Sequence, residues 1–250
     1  KTTGVAQSQP IGIYGASISS TSGNITFNTT AATGTGQQFA NNVATSTIST
    51  TNGSVSITGD TSGFTSDFAM YNISGASVTI QAYKPTFTST TITSAGAVVI
   101  ESPGNAFGAA VTSSGLTVSG SPSSLRIGKT TNTADVTVAG ALSTAGPVTI
   151  YGGNIALGAN VTVTGSGNDV ILKGTNHVYE TAAVAIQTNG GDVVFWSDSD
   201  ATGGGATGTY AGSSINTVNG DTTRTSTGGG SIYFGGGSTS TTNAAGTTYP

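Results

Sequence analysis

Gly146-Pro-Val148-Thr-Ile150, Asn168-Asp-Val170-Ile-Leu172 and Gly191-Asp-Val193-Val-Phe195 are three copies of one phrase: a small or turn residue, a spacer, then two large apolar residues two positions apart. Their first aliphatics are 22 and 23 residues apart. Apolar residues two positions apart point to the same side of an extended strand. A short strand returning at nearly constant spacing is the mark of a solenoid, in which each unit buries its apolar face only against its neighbours.

The phrase extends in both directions. It recurs at Ile25-Thr-Phe27, Val55-Ser-Ile57, Val78-Thr-Ile80, Val98-Val-Ile100, Leu125-Arg-Ile127 and Ile232-Tyr-Phe234. Steps between first aliphatics along the chain are 30, 23, 20, 27, 23, 22, 23 and 39 residues. A second short strand precedes many copies, as at Thr47-Ile48, Thr91-Ile92, Thr117-Val118, Thr162-Val163 and Ala185-Ile186. Nothing in the chain has helical period. The spacing predicts an all-β, right-handed parallel β-helix over residues 1–235, with rungs of about 20–27 residues. A β-sandwich is the competing arrangement, but it calls for hairpin turns and a more aromatic core. The long last step predicts a loop insertion near 197–213, and the Gly/Ser/Thr-rich stretch 236–250 reads as a tail or linker.

Composition narrows the function. Six basic and ten acidic residues leave a net charge of −4, with no basic patch for nucleic acid. No apolar run is long enough to insert in a membrane as a helix. The absence of cysteine removes disulfides, thiolate metal sites and cysteine nucleophiles. Ile11-Gly-Ile13 and Ala16-Ser-Ile18 already read as rung strands, and neither end carries a polar cap. The expectation is that rungs continue beyond both ends, in the same polypeptide or by head-to-tail stacking of neighbouring copies.

Candidate chemistry is sparse. Polysaccharide-degrading enzymes also use parallel β-helices, and Arg126, Lys129, Asp135, Asp169 and Lys173 are the side chains such an activity would draw on. Arg126 lies between two inward aliphatics and so points to solvent, which favours surface decoration over catalysis. His177 sits in a Thr/Asn-rich turn without a triad partner. Asp198 and Asp200 are weak calcium candidates, because the surrounding spacing is not that of a calcium loop. No cofactor is implied. Sequons at Asn24, Asn28, Asn52, Asn72 and Asn160 are no more frequent than this Ser/Thr content produces by chance. Thr47, Thr91, Thr117, Thr137 and Thr162 raise an ice-binding alternative, which the uneven rung lengths argue against.

One outward column stands out. Stacking the copies aligns Asn28, Thr58, Gln81, Glu101, Gly128, Tyr151, Lys173, Trp196 and Gly235. Tyr151, Lys173 and Trp196 then follow one another at about 4.8 Å per rung, with Lys173 placed for a cation–π contact. The adjoining column adds Ile171, Val194 and Tyr233. These six residues form a candidate binding patch for a glycan or a neighbouring chain, unless the 197–213 loop folds over them.

The segments Gly190-Gly-Asp-Val-Val-Phe-Trp-Ser-Asp-Ser-Asp200 and Gly228-Gly-Gly-Ser-Ile-Tyr-Phe-Gly-Gly-Gly237 resemble repeats of filamentous-haemagglutinin-like large exoproteins, which bacteria secrete through a two-partner system. That resemblance implies the β-helical shaft of such a protein, an extracellular or cell-surface location, and a role in adhesion, aggregation or biofilm.

Overall fold

The computed structural model describes residues 11–29, 39–41, 46–59, 68–218, 229–237, 241–242 and 248–249. Among them every element is a strand or a turn, and every pairing in the coil is parallel. The chain is a parallel β-solenoid.

One sheet carries the phrase. Its nine strands are Ile25–Asn28, Ser54–Thr58, Ser77–Gln81, Ala97–Glu101, Ser124–Ile127, Val148–Gly152, Val170–Gly174, Val193–Ser197 and Ile232–Gly236, each paired with the next in chain order. Register is kept throughout. Ile25, Val55, Val78, Val98, Leu125, Val148, Val170, Val193 and Ile232 form one column. Phe27, Ile57, Ile80, Ile100, Ile127, Ile150, Leu172, Phe195 and Phe234 form the second. From Val55 to Phe195 these side chains are buried. Fully burying each contributes about 1.5–3 kcal/mol, and only stacking on neighbouring rungs provides that burial.

Two further sides close each turn. On the second lie Ser17–Ser20, Thr47–Thr50, the C-terminal part of Phe68–Gly75, the C-terminal part of Pro85–Ser94, and Leu116–Ser119. The four-stranded sheet of Leu142–Thr144, Val161–Ser166, Ala185–Asn189 and Ser214–Asn216 takes up this side further along the coil. The third side holds Ile11–Ile13, Phe39–Asn41 and the first parts of the two long strands. It continues as Val111–Thr112, Val136–Val138, Ile155–Leu157, Val178–Glu180 and Thr207–Gly208. Each turn thus has three strands, one more than the phrase and the short strand before it.

The stretch read as an insertion rejoins the coil part-way along. Within 197–213, Thr207–Gly208 pairs in register with Val178–Tyr179, and Ser214–Asn216 then pairs with Ala185–Gln187. Rung partners are 23 residues apart at Val170 and Val193, 29 apart at Val178 and Thr207 and at Ile186 and Ile215, and 39 apart at Val193 and Ile232. Six residues are therefore added before Thr207 and ten after Asn216. Across this second addition, Gly230 N donates to Thr217 O (3.1 Å) and Thr217 Oγ1 donates to Gly230 O (2.7 Å). The Gly-rich composition that reads as a loop hides a strand because Thr207 and Gly208 supply no aliphatic. In the tail, Thr241–Thr242 pairs antiparallel with Thr248–Tyr249, apart from the coil ladders.

Candidate functional site: the outward faces

Strand alternation places every second residue of the nine-stranded sheet outside the coil. The column aligns from Asn28 to Glu101 and again from Tyr151 to Gly235, whereas Gly128 lies just past the end of its strand. Its first half is a polar ladder. Thr58 Oγ1 donates to Gln81 Oε1 (3.2 Å), and Gln81 Nε2 donates to Glu101 Oε1 (2.8 Å). Glu101 Oε2 then pairs with Arg126 in the adjoining column (2.8 Å). Such half-exposed pairs contribute about 0.2–1 kcal/mol each, so the ladder's main effect is to fix side-chain positions along one edge.

The second half is built around a buried apolar pair. Tyr151, Lys173 and Trp196 do follow one another in register. In the next column Ile171, Val194 and Tyr233 align. Val194 and Trp196 are 0% and 5% exposed and form a small cluster outside the coil, with Ile171 and Tyr233 packed against it. Trp196 lies across Gly235 of the next strand, where a Cβ would overlap its ring, and its Nε1 donates to Gly237 O (2.9 Å). The indole therefore fastens the chain that leaves the last rung, and it is not open for sugar stacking. Asp198 N and Ser199 N donate to Asn176 O and Gly174 O, which carries the 197–213 stretch towards the third side of the coil. Among the described residues the cation–π contact is Lys84 Nζ over the Tyr83 ring at 5.7 Å, not the one expected of Lys173. Burial holds the Lys173 ammonium below its ordinary pKa.

The other candidates serve the backbone. Asp135 Oδ1 accepts from Asn154 N and Nδ2, Asn154 Oδ1 accepts from His177 N, and His177 Nδ1 accepts from Ala206 N. One turn side chain per rung thus caps the following rung, and His177 is part of that stack. Asp198 and Asp200 cap their own loop, through Gly203 N and Thr202 respectively. Among the described residues no group of three His, Asp or Glu side chains is placed to hold a metal. Asp169 Oδ1 accepts from Asp192 N, again from one rung to the next. Lys129 lies in the turn after Gly128, where its carbonyl accepts from Asn132 N. Arg126, Lys129, Asp135, Asp169 and Lys173 are not brought together around a cleft.

Two features escaped the sequence reading, and a third was read only through its threonines. Asn132 is buried and fully engaged, accepting from Phe107 N and Ala134 N and donating to Tyr151 O and Ala134 O. Glu180 points into the coil, with Oε2 accepting from Tyr210 N and Oε1 buried without a partner. The third feature is the outward surface of the second side. Ser17, Thr47, Asn72, Thr91 and Thr117 align there in one column, and Ser19, Ser49, Ser74, Thr93 and Ser119 in the next. Thr162 lies on the continuation of this side, whereas Thr137 lies on the third side. Uneven rung length is absorbed in the turns and leaves this surface in register. The sequence signal is the recurring polar-Ile/Val-polar triplet, visible once Ser and Asn are read alongside Thr. Comparison with protein-family models, curated proteins and solved structures finds no match to the chain.

Proposed function

We propose that this chain is part of the shaft of a secreted or surface-exposed bacterial fibre of the filamentous-haemagglutinin-like kind. Its work is structural and adhesive, in attachment, aggregation or biofilm matrix, and the reading assigns it no catalytic group. Supporting it is the continuity of the core. Two unbroken apolar columns run the length of the nine-stranded sheet, while the candidate catalytic residues are spent on capping turns and decorating the outside.

One observation carries the reading. Ile232 and Phe234 occupy core positions in register with Val193 and Phe195, yet they are 44% and 47% exposed. Phe234 stacks on Phe195 with ring centroids 4.9 Å apart, so the core column is poised to accept another rung. The partner is further rungs, supplied by a longer polypeptide or by a neighbouring copy stacked head to tail. Such heterologous contacts do not close and yield a fibre.

The test is sedimentation velocity with electron microscopy across protein concentration. The expected result is end-to-end association that Phe234→Lys abolishes while the circular dichroism of the coil is kept. A monomer at every concentration, or association that Phe234→Lys leaves untouched, overturns the reading.

A further inference from the structure

The second side of the coil differs from the rest of the surface. Its paired columns Thr47–Asn72–Thr91 and Ser49–Ser74–Thr93 carry neither charge nor aromatic ring, and their side chains are half-buried or exposed. Two grooves run across these rungs, parallel to the coil axis. One lies between the two columns; the other lies between the Ser49–Ser74–Thr93 column and the turn at Thr51, Ala76 and Ala95. The three residues Ser49, Ser74 and Thr93 are thus a ridge with a groove on either side.

The hydroxyls here are not used up internally. Elsewhere on the coil, Ser and Thr side chains bond to backbone: Thr50 Oγ1 donates to Gly23 O, Ser94 Oγ to Ala76 O, and Thr144 Oγ1 to Gly146 O. At the margins of the surface, Thr47 Oγ1 donates to Ser17 Oγ, and Thr93 Oγ1 and Ser119 Oγ bond each other. In the middle, the hydroxyls of Ser49, Ser74 and Thr91 make no hydrogen bond within the described residues. They face the grooves as unpaired donors and acceptors.

We propose that this surface is a binding site for a neutral, extended glycan lying along the coil axis. Uncharged donor–acceptor groups pair with sugar hydroxyls, and the lack of charge disfavours acidic polymers and nucleic acid alike. The rung spacing of about 4.8 Å is close to the advance of one sugar ring along an extended β-linked chain, so successive rungs meet successive sugars. A groove suits a linear polymer better than a flat crystal plane, which favours a glycan over ice. Without an aromatic platform each sugar is held weakly, and useful affinity comes from engaging several rungs at once. The site deepens the adhesive part of the shaft reading. Binding is measured on a single chain, so it stands or falls separately from end-to-end association.

Titration calorimetry with cellohexaose, a neutral β-linked hexasaccharide, is the direct test, with hexagalacturonate as the acidic counterpart. The expected result is binding of the neutral hexamer alone, unchanged between low and high salt. The triple variant Ser49→Val/Ser74→Val/Thr91→Val removes the three unpaired hydroxyls and no internal hydrogen bond. It should keep its Tm and lose affinity by about tenfold or more, equivalent to about 1.4 kcal/mol. The single variant Ser74→Ala, on the ridge, should show part of that loss and serves if the triple variant does not fold. No binding by the wild type, unchanged affinity in both variants, or equal and salt-sensitive binding of the acidic hexamer overturns the proposal. Thermal hysteresis abolished by the triple variant would assign the surface to ice instead, and a dimer it disrupts would assign it to a second copy; either also overturns the proposal.

Discussion

Gly191 opens one of the phrases that decide the fold, and Gly191→Ala tests why a glycine stands there. A Cβ on Gly191 would overlap the Asn168 carbonyl of the preceding rung. The same holds at Gly146 over Ser123, at Gly96 over Ala76, at Gly53 over Gly23, and at Gly230 over Gly191. Backbone passes directly over backbone at this corner, so no flexible side chain can yield and the rungs must separate locally. Overpacking of this kind costs about 1–3 kcal/mol, and stiffening the unfolded chain returns about 0.4–1 kcal/mol. A net loss of about 1–2 kcal/mol follows. At about 2–4 °C per kcal/mol for a chain of this size, Tm should fall by about 2–8 °C. Gly204→Ala is the control, since its Cβ would meet nothing within 4 Å; it should leave Tm unchanged or slightly raised. Thermal melts followed by far-ultraviolet circular dichroism give both values. If Gly191→Ala melts together with or above Gly204→Ala, close rung-to-rung approach is not what the glycine serves.

Asn132→Ala strips four hydrogen bonds from a side chain that is 2% exposed. Each backbone group left unpaired inside costs about 1–3 kcal/mol, so the urea midpoint should fall well below that of Asn216→Ala, a change on an exposed side chain. Lys173 loses hydration on folding, and its folded pKa lies below the ordinary 10.5. Between the two values the unfolded chain binds more protons, so stability rises with pH there and the full burial cost is present below. Lys173→Met should therefore be more stable than wild type at neutral pH, with the difference shrinking as pH rises towards 10.5 in pH-dependent melts. Trp196 is the single tryptophan and is 5% exposed. Its emission should be blue-shifted and poorly quenched by acrylamide, and an emission typical of exposed indole would show that the cluster outside the coil is open.

Much of the core was legible from residues alone. Period-2 alternation and the recurring step identify both inward columns and the outward column from Asn28 to Gly235, because register in a solenoid follows from stacking like on like. The third side was not legible. Val136-Thr-Val138 alternates correctly but lacks the glycine that flags the first side, Gly153-Asn-Ile155-Ala-Leu157 has it but follows Ile150 too closely to fit the recurring step, and Val178-Tyr-Glu180 ends on an inward carboxylate. Thr207–Gly208 has no aliphatic at all; its place is set by the rung beneath it, through hydrogen bonds that any residue except proline can donate. The state of the Trp196 patch was equally beyond reach. Alternation shows that the indole points out, but Gly235 and Gly237, which receive it, are 39 and 41 residues away in sequence.

The coil separates what holds it together from what it presents. The core columns of the first side are apolar throughout, since each side chain is buried by the rungs on either side. Turns absorb the differences in rung length, so neither disturbs the outward register. That leaves the outward positions free to vary in chemistry without cost to the fold, and the two best-defined outer surfaces have diverged. On the first side, the outward residues bond or pack with one another, in the Thr58–Gln81–Glu101–Arg126 ladder and around Trp196. On the second, the central hydroxyls of Ser49, Ser74 and Thr91 remain unspent. A surface that satisfies itself has little left to offer a ligand, whereas unpaired hydroxyls on three successive rungs are complementary to a partner that repeats at the same interval. The recognition surface of this coil is therefore to be sought on the hydroxyl side, opposite in character to the aromatic patch that its sequence advertises.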